Sequence, residues 1–190
     1  MIAQILFFLL LCFTMPAYAH EGDPAGGFIT GLLHPVLGFD HLLAMISVGI
    51  LSSQMGGKAI WTVPATFVVM MLVGGLIGLQ EIELPMVEIA IGFSVLCLGL
   101  AIAAYKKSPV FLTMVFVGFF AIFHGHAHGT EIPYIADAMF YTLGFITGTA
   151  GIHVAGILVA WLTSRFSSGK SLLRYMGAGI AGVGFAILFL

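Results

Sequence analysis

The sequence predicts an all-α membrane protein, and three observations carry that prediction. Of 190 residues, 61% are hydrophobic and only 7% are charged, whereas a soluble domain carries about a quarter charged residues. The apolar residues come in successive runs of roughly 20, the length that crosses about 30 Å of hydrocarbon. Those runs are too long and continuous for the strands of a β-barrel. Turn-forming residues separate them, so a bundle of six transmembrane helices after a cleaved signal peptide is expected.

Residues 1–19 form the predicted signal peptide. An apolar stretch from Ile5 to Phe13 is followed by Pro16 and then by Ala17-Tyr18-Ala19, a small-x-small cleavage site. Cleavage there makes His20 the mature N-terminus. Its imidazole and free α-amine then lie on one residue, a chelating pair for a transition metal. Residues 20–190 form the membrane domain, with spans at 28–53, 59–79, 84–104, 109–128, 134–163 and 171–190.

The connections between spans fix an expected orientation. Gly56-Gly57-Lys58 joins spans one and two. Lys106 and Lys107 lie between three and four, and Arg165, Lys170 and Arg174 fall between five and six. The other connections carry Glu81 and Glu83, or Glu131 and Asp137, without a cation. The positive-inside rule puts the basic loops in the cytoplasm. Both mature termini then face the periplasm of a multi-pass bacterial inner-membrane protein, in agreement with an export signal.

Several function classes fall away. A net charge of −2 built from so few charges offers no basic patch for nucleic acid. No P-loop or other nucleotide motif is present, so no ATPase is expected from this chain. Cys12 and Cys97 lie in apolar runs and provide no disulfide framework. The expected partners are membrane lipid and an ion, and the sequence specifies no oligomeric state. Most of the glycines are read as packing residues: Gly74 with Gly78, Gly144 with Gly148, and Gly177, Ala178, Ala181 and Gly182 in the last span suit close helix approach in lipid.

Against this apolar background, ionisable groups inside spans are costly and become functional candidates. The first set is His34-Pro-Val-Leu-Gly-Phe-Asp40-His41. On an unbroken helix His34 and His41 would share a face roughly 10 Å apart. That is too far for one ion with bonds of about 2 Å. Either the two serve successive positions along a path, or Pro35 and Gly38 break the helix and bring them together, as in the discontinuous helices of transporters. The second set is Phe123-His-Gly-His-Ala-His-Gly-Thr-Glu131. His124 and His128 are four apart on one helical face and can chelate one ion. His126 points about 200° away from His124 and is the weakest ligand of the three. Glu131 completes the site or captures ions at its mouth. Span one enters from the periplasm and span four leaves there, so both sets share the outer half of the membrane, as does His20. Imidazole with carboxylate suits Ni²⁺, Co²⁺ or Zn²⁺ better than Cu(I). His153, alone in the middle of span five, is read instead as a hydrogen-bonded packing residue.

At these motifs the sequence resembles the HupE/UreJ family of nickel and cobalt permeases. The resemblance covers nearly the whole chain, through Gly27-Phe28, His34-Pro-x-x-Gly-x-Asp40-His41 and Phe-His124-Gly-x-Ala-His128-Gly-x-Glu131 on six spans. It implies uptake of Ni²⁺ or Co²⁺ and a functional set of His34, Asp40, His41, His124, His128 and Glu131. The metal would be cargo, with no prosthetic group. The alternative from the residues alone is an intramembrane zinc hydrolase holding a metal-bound water. Haem ligation by paired histidines is disfavoured, because the histidines gather at one end.

Overall fold

A computed structural model describes residues 24–131 and 138–189. The predicted leader at 1–19 and the candidate ligand His20 lie outside the described residues. Seven helices occupy the rest: α1 (Pro24–Leu37), α2 (Phe39–Met55), α3 (Ala59–Leu79), α4 (Val87–Ala104), α5 (Val110–Thr130), α6 (Ala138–Thr163) and α7 (Gly169–Phe189). The last five are each long and apolar enough to cross a membrane. Together α1 and α2 provide a sixth apolar length, bent by 85°.

The first expected span is therefore two helices, and the bend falls between His34 and His41. The break falls at Gly38, whose φ of −87° and ψ of 110° are extended. Pro35 stays inside α1. Gly38 is required for space rather than for its dihedrals, since any residue adopts that conformation. A Cβ there would stand 3.0 Å from His41 Nδ1 and 3.4 Å from Asp40 Oδ1.

Helix α2 is the axis of the bundle and touches all six other described helices. Ala44, Met45, Val48 and Ile50 along it are fully buried, as expected of a helix apolar all round. Around it, α3 packs on α5, α4 on α7, and α6 on both α1 and α2. Lipid-facing surfaces carry exposed Trp61, Val69, Leu100, Phe119 and Trp161, as a bilayer solvent permits.

Small residues set the closest approaches. Gly74 and Gly78 abut the α5 backbone at Ile122 and His126, and Gly144 and Gly148 abut α1 at Phe28 and Leu32. In α7 the expected register is only half right. Gly177 and Ala181 face α4 at Gly99, but a Cβ at Gly182 would meet nothing within 4 Å and Ala178 is exposed. Gly184, packed on Leu96, continues the seam instead. Partner position decides which of several small residues is used, and a helix-spacing rule alone does not contain it.

Candidate metal site

Helix α5 holds the rigid side of the site. Gly125 and Gly129 lie against the α3 backbone at Met71 and Gly75, with His124 and His128 about 100° round the helix to one side of that face and His126 to the other. His124, His126 and His128 are all buried. His126 departs from the other two as its angle predicts: its Nε2 donates to the Ile82 carbonyl at 2.8 Å, tying down the connection between α3 and α4.

The remaining candidates converge on His128. Its ring centroid lies 4.8 Å from that of His34 and 4.3 Å from that of His41. The break at Gly38 thus sets the two histidines of the first motif against one residue of the second. Beyond His41, the His124 ring follows at 4.9 Å. At the open end, His34 Nε2 lies 3.1 Å from Glu131 Oε2, and His128 Nδ1 lies 3.7 Å from the same oxygen. Glu131 stands just past the end of α5, and the imidazoles of His128 and then His34 hold its carboxyl below the usual carboxylate range.

His34, His128 and Glu131 offer ligand atoms within 4.8 Å of one another. Opposed ligands on an ion with bonds near 2.1 Å stand about 4.2 Å apart, so a small closure would seat one. A cavity of about 340 Å³ opens onto this group and is also lined by Asp40, His41 and Glu88. The Glu131 side chain is 59% exposed and that of His34 19%, whereas His128 and His41 are nearly closed off at 6% and 11%, and His124 is fully buried.

Hydrogen bonds preset the chemistry of the other two imidazoles, His41 and His124. Asp40 Oδ1 accepts from the His41 backbone N–H at 2.8 Å and from His41 Nδ1 at 2.9 Å. That assigns the proton to Nδ1 and leaves the buried Nε2 as a bare lone pair with no partner among the described residues. A carboxylate behind a metal-ligating histidine acts in this way, fixing tautomer and raising basicity. His124 is set by a different device. Ser94 Oγ gives its proton to the Ile91 carbonyl at 2.7 Å, so at 3.0 Å it accepts from His124 Nε2. His124 Nδ1 is then the free lone pair, again buried without a partner. Two buried acceptors with preset tautomers, next to a three-ligand mouth, form an environment suited to a divalent cation.

The family described as HupE / UreJ protein matches residues 8–187. The chain belongs to the HupE/UreJ family. Protein HupE of Rhizobium leguminosarum bv. viciae is 45% identical over 173 residues, which cover 90% of each chain. No solved structure matches. The HupE/UreJ family is implicated in nickel and cobalt uptake, and its members are transport-related accessory proteins rather than enzymes. That sets aside the hydrolase alternative. The apolar helices and the family together make this a multi-pass membrane protein.

Two residues of the site were missed in the sequence. Glu88 had a signal, since it is an acid inside an expected span, and it lines the cavity from α4. Ser94 had none: one serine in an apolar helix becomes informative only when His124 is seen beside it.

Proposed function

We propose that this HupE/UreJ protein is a secondary permease that takes up Ni²⁺ or Co²⁺ across the bacterial inner membrane from the periplasmic side, without an ATPase. His34, His128 and Glu131 receive the ion at the mouth, with His20 of the mature N-terminus as an earlier capture point. His41 and His124 take it deeper, and Asp40 orients His41. The observation that carries this reading is the run of imidazoles whose ring centroids follow one another within 4.9 Å from the partly exposed His34 to the fully buried His124. A hydrated divalent ion entering such a run exchanges water for nitrogen one ligand at a time, so no step strips the whole shell at once. The inside-negative potential adds about 4.6 kcal/mol per 100 mV for a divalent cation.

The experiment is ⁶³Ni²⁺ and ⁵⁷Co²⁺ uptake into proteoliposomes, with wild type beside His41→Ala and His128→Ala. Loss of uptake by both variants at equal protein supports the reading. Full accumulation by both sinks it. A single Zn²⁺ that copurifies tightly and resists exchange would speak for a resident metal rather than a transported one.

A further inference from the structure

The imidazole series does not end at His124. Phe67 of α3 touches the His124 ring at 5.5 Å between centroids, and the same phenyl ring touches His153 of α6 at 5.1 Å. His153 is 2% exposed, and neither of its ring nitrogens has a partner among the described residues. The hydrogen bond expected of His153 is thus absent among the described residues. Buried polar atoms in a bilayer are satisfied internally almost without exception, so a lone imidazole with two idle nitrogens calls for a reason.

Its depth supplies one. Phe145 of α6 is level with the mouth, since it contacts both His34 and His128. His153 is eight residues further, roughly 12 Å deeper along the helix, while His124 is roughly 6 Å deeper than His128. His153 therefore lies deeper than His124, and the Phe67 ring, itself 2% exposed, touches both. The surroundings hold further unused polarity. Thr149, one turn before His153, reaches only the Met71 sulfur at 3.9 Å.

We propose that His153 is an inner binding station for the transported divalent ion, separated from the outer histidines by the Phe67 ring. The inference rests on the permease reading above and extends it into the inner half of the membrane. Phe67 then serves as an apolar partition, so that an ion leaves His124 only when a nitrogen ligand waits on the far side.

The test compares ⁶³Ni²⁺ uptake by proteoliposomes of wild type, His153→Phe, His153→Leu and, as outer-site control, His128→Ala. Thermal stability and equilibrium Ni²⁺ binding of each purified protein are measured alongside. Apolar replacements remove two unpartnered nitrogens, so both His153 variants should be at least as stable as wild type. They should retain Ni²⁺ binding at the outer site and lose uptake by about tenfold or more. Wild-type uptake by either His153 variant, with His128→Ala inactive, overturns the inner station and leaves the permease reading intact. Wild-type uptake by His128→Ala overturns that reading and this inference with it. Destabilised His153 variants that also lose outer binding would make His153 a packing residue and overturn the inference.

Discussion

The two histidine motifs are built in opposite ways. In α5 the helix runs unbroken, and glycines clear one face so that the α3 backbone can lie directly against it, with His124 and His128 on the neighbouring face. At the α1–α2 junction the helix stops, turns by 85°, and carries His34 and His41 to the same partner from two directions. The first design places ligands by helical period, the second by the direction of the chain after a break. A continuous helix writes its geometry into residue spacing, while a break hands it to tertiary packing.

Substitutions can separate the two designs. The largest effect is expected at Gly125, where a Cβ would run into the Met71 carbonyl. Backbone cannot swing aside, so Gly125→Ala should destabilise by about 3 kcal/mol or more. Thermal unfolding in detergent and the amount of protein in the membrane measure it. If Gly125→Ala folds normally, the rigid description of α5 is wrong.

Next come the ligands themselves. His128 faces both His34 and His41, so His128→Ala should cut uptake by roughly 100-fold, at the upper end of what disturbing a metal site costs. Asp40→Asn keeps the shape but removes the charged acceptor behind His41. Ni²⁺ affinity, read by calorimetric titration, should then fall roughly tenfold with the fold unchanged. An affinity equal to wild type would mean that Asp40 does no more than cap α2.

The smallest effect belongs to the break. Gly38→Ala leaves the backbone conformation accessible, but its Cβ presses on the His41–Asp40 pair at 3.0–3.4 Å. Stability should change little, by under about 1.5 kcal/mol, while metal affinity drops measurably. A Gly38→Ala protein with wild-type affinity and a large loss of stability would reverse the assignment, making the junction structural and not a positioning device.

The same contrast explains what the sequence disclosed. Run lengths gave the helices, because a bilayer demands them, and the four-residue spacing of His124 and His128 was legible on a continuous helix. The odd position of His126 was equally legible, and it hydrogen-bonds Ile82 instead of joining the ligands. The His34–His41 spacing left two arrangements open, since nothing local encodes where a chain goes after an extended glycine. Ser94 and Phe67 acquire their roles only through neighbours 30 and 57 residues away, His124 in both cases. The hydrogen bond expected of His153 was a rule about buried polar groups, and this position departs from it.

The glycine seam between α3 and α5 also has a mechanical consequence. Two backbones in direct contact have no side-chain layer through which to slide, so His124, His128 and the base of Glu131 form a stiff rail. His34 hangs from α1, which is tied by Gly31, Gly144 and Gly148 to α6 and joined to α2 only through Gly38. The same backbone contact locks α1 to α6, so His34 rides on a second rail of its own. Any tightening around an ion, or any loosening that lets one go, is then a shift of one rail against the other rather than a bending of either.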